Sequence, residues 1–208
     1  MMKNIVNIIR ILFFGLFLFL LANGKVKLWL VLFAASLIAA LVFGRVYCGY
    51  ICPMNTLMIP AERLSKGLKF QTSKTPSWLK KGYIPWIALG LSIAVMILSK
   101  RLLHLDLPIM LFWLVISVLV TLRYKPEVFH NLICPFGALQ KVFSRSAWLS
   151  ERVDKEACVG CKLCEKVCPS NAIVVSPEYN RAVIDVSLCH QCTNCQNVCP
   201  KSAIHYGK

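Results

Sequence analysis

Eight of the eleven cysteines fall in the last 51 of 208 residues, in two runs that read "CVGCKLCEKVCP" and "CHQCTNCQNVCP". Each run is C-x2-C-x2-C-x3-C-P, a spacing that offers thiolates to iron-sulfur cubanes, and two runs imply two [4Fe-4S] clusters. Zinc sites pair their ligands across longer separations. A disulfide framework needs an oxidising compartment. Three closely spaced thiolates wrap one corner of a cubane, and their loop cannot also supply the fourth, so ligation is expected to cross between runs. Cluster I is then expected on Cys158, Cys161, Cys164 and Cys199, and cluster II on Cys189, Cys192, Cys195 and Cys168. After Pro169 and Pro200, Ala172-Ile173 and Ala203-Ile204 repeat at one offset and are expected to pack beneath the clusters. The intervening "SPEYNRAVIDVS" reads as strand, turn and strand.

The other three cysteines belong to a second repeat. Residues 46 to 57 read "VYCGYICPMNTL" and residues 128 to 139 read "VFHNLICPFGAL". The first copy pairs Cys48 with Cys52; the second pairs His130 with Cys134. On a helix, positions i and i+4 share a face. If the two copies pack about a pseudo-two-fold axis, three thiols and one imidazole converge. That is a ligand set for a third iron-sulfur cluster or a soft metal, since imidazole can replace thiolate on iron. The competing reading makes the cysteines small apolar fillers and His130 a solvated interfacial residue.

These motifs need elements to hold them. The chain is 57% hydrophobic with a mean hydropathy of +0.62, well above a soluble domain. Four apolar blocks, Ile5–Ala22, Leu28–Phe43, Tyr83–Leu98 and Leu107–Leu122, read as membrane helices. The first reads as an uncleaved anchor, because "LLANGK" is a poor cleavage site. Two helices followed by a Cys-Pro motif occur twice, which is an internal duplication. The expected architecture is an α-helical membrane domain of four helices over residues 1–149, followed by an α+β two-cluster ferredoxin-like domain over residues 150–208.

The net charge of +15 is uneven, with 17 Lys/Arg before residue 150 against Glu62, Asp106 and Glu127. Arg45, Arg63, Lys66, Lys69, Lys74, Lys80 and Lys81 follow the second helix; Arg123, Lys125, Lys141 and Arg145 follow the fourth. This bias predicts cytoplasmic termini, a cytoplasmic long loop and a cytoplasmic ferredoxin domain in a multi-pass cell-membrane protein. It also explains the basic charge through membrane lipid, without nucleic acid. "ALQKVFSRSAWL" reads as an interfacial helix with Leu139, Val142 and Phe143 down, Lys141 and Arg145 up, and Trp148 as anchor. Trp29, Trp78 and Trp86 read as belt residues at helix ends. His104 beside Asp106 reads as a solvated loop residue. No Ser/His/Asp set, phosphate-binding Gly loop or carboxylate pair supports hydrolysis.

On the two cysteine runs, the last fifty residues resemble bacterial two-cluster ferredoxins. On "CGYICP", "ICPFGAL" and those runs, nearly the whole chain resembles the four-helix membrane polyferredoxins. That group includes the quinol-oxidising subunit feeding periplasmic nitrate reductase, the nitrous-oxide reductase regulator and the copper-assembly membrane ferredoxin of cytochrome oxidase. The resemblance implies one-electron relay between a cytoplasmic or quinone-pool partner and another redox subunit, with no bond-making catalytic residues. His130 departs from the group's Cys-x-x-x-Cys-Pro. Two other readings stand beside the relay: a direct quinol or cupric-ion reductase, and a redox sensor or assembly factor.

Overall fold

The computed structural model describes residues 2–72, 75–104 and 108–208. Lys74 of the basic loop, Asp106, and Leu107 at the start of the fourth apolar block lie outside the described residues. The chain divides into two compact units. One joins Met1–Cys52 to Leu139–Lys208, and the other is Pro53–Ala138.

The first unit begins with helices α1 (Met2–Ala22) and α2 (Val26–Phe43). Phe17 of α1 packs edge-on against Trp29 of α2, with ring centroids 5.2 Å apart. Trp29 is not the belt residue its position suggests. It is 0% exposed, and its indole N–H donates to the Tyr47 hydroxyl at 2.9 Å. A buried indole needs such a partner. Gln140 is likewise buried and donates to Ser36 Oγ on α2 at 2.8 Å.

The C-terminal module of this unit is built from two similar halves. Strand β1 (Ser150–Val153) pairs antiparallel with β4 (Ile204–Gly207), and β2 (Ile173–Ser176) with β3 (Arg181–Ile184). The expected strand, turn and strand is present as β2 and β3, but the first strand lies earlier than read and ends at Ser176, where "SPEYNRAVIDVS" begins. The amides of Asp185 and Asp154 extend the two ladders by donating to Ala172 O and Ala203 O, each at 2.8 Å. Cys164, Ile173, Val175, Ala182, Cys195 and Ile204 form the buried core, with Ala172 and Ala203 also buried. The two Ala-Ile pairs lie beneath the cysteine runs as their repetition requires.

The second unit holds α3 (Pro53–Gly67), α4 (Ile84–Leu98) and α5 (Ile109–Arg123). Helices α3 and α5 pack closely, and Ser65 Oγ donates to Leu122 O at 2.5 Å. Trp113 on α5 donates to Ser92 Oγ on α4 at 3.0 Å. Among the described residues, three helical stretches are long and apolar enough to cross a membrane: Asn4–Ala22, Val26–Phe43 and Ile84–Leu102. The fourth block forms the shorter apolar helix Ile109–Arg123. At about 1.5 Å per residue, 18 residues of α2 reach roughly 27 Å, close to a hydrocarbon core. Ile11, Leu12, Phe19, Val31, Ile38, Ile87 and Leu91 are exposed large hydrophobics. An apolar surface of this extent suits lipid rather than water.

Candidate iron-sulfur centres

All four Cys-Pro steps share one backbone solution. A short helical stretch ends at the cysteine, which is extended: φ −64 and ψ 118 at Cys52, φ −66 and ψ 117 at Cys134. Cys168 has φ −75 and ψ 111, and Cys199 has φ −77 and ψ 112. The physical cause is the following proline, whose Cδ excludes the helical region for the residue before it. Each cysteine is thereby turned out at the end of a turn. Three of these sulfurs also accept a downstream amide: Cys134 from Gly137 at 3.3 Å, Cys168 from Ala172 at 3.2 Å, and Cys199 from Ala203 at 3.3 Å. Such donors favour a charged sulfur.

In the C-terminal module the two runs superimpose in detail. Helix α6 (Leu163–Val167) and helix α7 (Asn194–Val198) carry the third thiols, Cys164 and Cys195, and their N-caps Lys162 and Thr193 are both left-handed, at φ 61 and φ 57. Gly160 at φ 66 is matched by Gln191 at φ 56. At Gly160 a side chain is excluded twice over, because a Cβ would lie 2.2 Å from Asn180 O. Gln191 holds its unusual backbone with buried bonds: its amide N–H2 donates to Ser150 Oγ at 2.8 Å, and its side-chain oxygen accepts from Glu151 N at 2.9 Å.

One observation tests whether these residues fit cubanes. A cavity at the first run is lined by Cys158, Cys161, Cys164 and Cys199, with Val175, Ala182 and Ile204 beneath. Three thiols of one run and the last thiol of the other thus face one space. On the other side, the Cys168 sulfur is an electrostatic neighbour of Cys189, Cys192 and Cys195. Burial pushes the thiols of Cys164, Cys189, Cys192 and Cys195 above their ordinary range. Buried thiolates of this kind are stable when a cation sits among them. Within either unit, among the described residues, no three His, Cys, Asp or Glu side chains gather tightly enough for a single ion. Four thiols lining one cavity are the donor set that a cubane takes.

The second run is seated on the first Cys-Pro motif. That motif forms a π-helical turn, Tyr47–Ile51, closed by Cys52 N to Tyr47 O at 2.8 Å. The Tyr50 hydroxyl donates to Gln191 O at 2.9 Å. Burial pushes that hydroxyl up to about 12, so it keeps its proton. Gly49 lies against the carbonyl of His190, and Arg10 Nε from α1 donates to Gly49 O at 2.7 Å. The Arg45 guanidinium is buried, 3.7 Å from Cys48 Sγ and 3.5 Å from Ser187 O.

The second Cys-Pro motif repeats this local form as the π-helical turn Phe129–Ile133, with Cys134 N to Phe129 O at 2.8 Å. Both turns are wider than the α-helical i, i+4 face the spacing suggests. His130 is 3% exposed, which rules out the solvated reading. Its Nε2 lies 3.3 Å from Asn55 Oδ1. Cys48, Cys52 and Cys134 are buried as well. His104 is exposed as expected. Sequence reasoning missed Arg10, Arg45, Asn55 and Glu151. Arg10 carried a visible signal, being an arginine inside an apolar membrane block.

The family described as 4Fe-4S dicluster domain matches residues 157–203, and that described as 4Fe-4S binding domain matches residues 27–71 and 106–156, the stretches holding the two Cys-Pro motifs. The chain is similar to the uncharacterized protein MJ0749 of Methanocaldococcus jannaschii, at 28% identity over 64% of this chain and 55% of the relative. It is similar to the ferredoxin-type protein NapH of Haemophilus influenzae, at 27% identity over 68% of this chain and 53% of the relative. It is also similar to the putative electron transport protein YccM of Escherichia coli, at 26% identity over 68% and 46%. The match therefore spans about half the length of these relatives. No solved structure matches the chain. The resemblance to membrane ferredoxin-type electron-transport proteins is borne out by these relatives. Residues 157–203 thus match a 4Fe-4S dicluster domain, in a chain whose α2 and α5 regions match a 4Fe-4S binding domain.

Proposed function

We propose that the protein is a membrane-anchored relay that passes single electrons between a cytoplasmic or quinone-pool partner and another redox subunit. The observation that carries this reading is the seating of the second cysteine run on Gly49 and Tyr50, at the end of an apolar helix pair. When bound, the clusters supply one-electron transfer. Cys158, Cys161, Cys164 and Cys199 would hold one cluster, and Cys189, Cys192, Cys195 and Cys168 the other. Ile173, Val175, Ala182 and Ile204 exclude water beneath them. The amides of Ala172, Ala182 and Ala203 donate to Cys168, Cys158 and Cys199, which favours the more reduced, more negative state.

The third centre on Cys48, Cys52, His130 and Cys134 belongs to the same proposal. It is supported by the burial of all four side chains and the shared turn geometry of the two motifs. The Asn55 oxygen at His130 Nε2 resembles the partner that orients a ligating imidazole. The charge bias of the loops supports cytoplasmic termini and a cytoplasmic dicluster domain.

The test is reduction by viologen of the purified holoprotein in detergent. A relay takes up its electrons once and reduces neither quinone analogue nor cupric ion in steady turnover until a partner is added. Steady turnover by the protein alone would replace the relay with a reductase. A change in partner binding with redox state, without electron delivery, would replace it with a sensor.

A further inference from the structure

The two cysteine runs differ sharply in what surrounds them. Cys189, Cys192 and Cys195 are buried, and their loop rests on the Tyr47–Ile51 turn and on α1. In the first run Cys161 is exposed and Cys158 half-buried, with only Cys164 buried; Cys199 of the second run, which lines the same cavity, is half-buried. The equivalents Cys161 and Cys192 occupy the same position in their runs, so the difference comes from what packs outside each loop. Around Cys161 the surface carries Val159 at 52% exposure and Leu163 at 40%. Lys162 and Lys201, both exposed, line the same cavity.

We propose that Val159, Leu163, Lys162 and Lys201 form the docking face for an acidic one-electron carrier protein. The inference rests on the electron-transfer reading above. A transient redox complex needs a small contact with an apolar centre and a charged rim. Two apolar side chains flank the least shielded thiol of the module, which gives the centre. The two lysines give the rim, and an acidic partner is the one whose charge complements them. The opposite run is closed off by the chain's own helices, so this is the end of the module that remains open to a soluble protein.

The experiment uses holoprotein in nanodiscs with purified acidic flavodoxin as the probe. Binding is measured at low and at high salt, with iron and sulfide counted for every variant. Binding at low salt that falls at high salt is expected. Lys162→Glu with Lys201→Glu should weaken it about tenfold at unchanged iron content. Lys201→Glu alone should give a smaller loss, and serves if the double variant loses iron. Lys80→Glu with Lys81→Glu, in the basic loop before α4, is the charge-matched control and should leave binding unchanged. Absence of wild-type binding, or equal weakening by the two double variants, would overturn the docking face. If the wild-type protein carries no clusters, it is the electron-transfer reading that fails.

Discussion

The α-carbon of Gly49 faces the carbonyl oxygen of His190 so closely that a methyl group added there would lie 2.0 Å from that oxygen. No flexible side-chain end is available to move, because the obstructing atom is backbone. Gly49→Ala should therefore lift the second cysteine run from its seat, at a cost of about 1–3 kcal/mol. Thermal unfolding of the holoprotein checks it, with Gly15→Ala, where a Cβ meets nothing within 4 Å, as the neutral reference. Equal melting of the two variants would contradict the seating.

Under the proposed crossed ligation, a substitution in one run damages the centre of the other. Cys168→Ser should reduce the iron held by the C-terminal module from about eight to about four, and the EPR signal lost should be that held by Cys189, Cys192 and Cys195. Cys199→Ser should remove the other signal. Loss of the first-run signal in Cys168→Ser would show uncrossed binding.

Glu151 is 1% exposed, and its carboxylate accepts from Gln196 Nε2 at 2.8 Å. Burial raises its pKa above the ordinary 4.5. A carboxyl raised in the folded state stabilises below its unfolded pKa, and that contribution is lost as pH rises through the folded value. Glu151→Gln should thus be the more stable protein at pH 8. The advantage should shrink as pH falls toward 4.5. Melting curves across that range, with iron content tracked, decide it; a constant difference would argue against a buried titrating carboxyl.

Asn55→Ala removes the oxygen facing His130 Nε2 and leaves a buried imidazole short of one partner. A destabilisation of about 1–3 kcal/mol is expected. Asn55→Asp keeps an acceptor and should lose less. An Asn55→Ala protein as stable as wild type would show that this contact contributes nothing.

The features legible in the sequence were those written in local spacing. The two cysteine runs and the Ala-Ile pairs repeat, and the β2–β3 hairpin closes within a few residues, so the local pattern names the structure. The apolar blocks were visible because lipid demands length and composition alone. The contacts that seat the module were invisible because they join distant positions: Arg10 to Gly49, Tyr50 to Gln191, and β1 to β4. Trp29 was misplaced because a tryptophan near a helix end satisfies two environments equally well, and only the Tyr47 hydroxyl distinguishes them. The π-helical form of both Cys-Pro turns has no compositional sign; it follows from closing five residues before an extended cysteine.

The four Cys-Pro steps have a consequence for how the protein matures. The restriction that proline places on the preceding cysteine is covalent, so it acts in the unfolded chain as well as in the folded one. Cys52, Cys134, Cys168 and Cys199 leave the ribosome with much of their backbone freedom already removed. Fixing a cysteine so constrained around iron costs less conformational entropy than fixing an unconstrained residue. Replacing Pro169 or Pro200 by alanine would leave every thiol in place and still slow the capture of iron by the newborn chain.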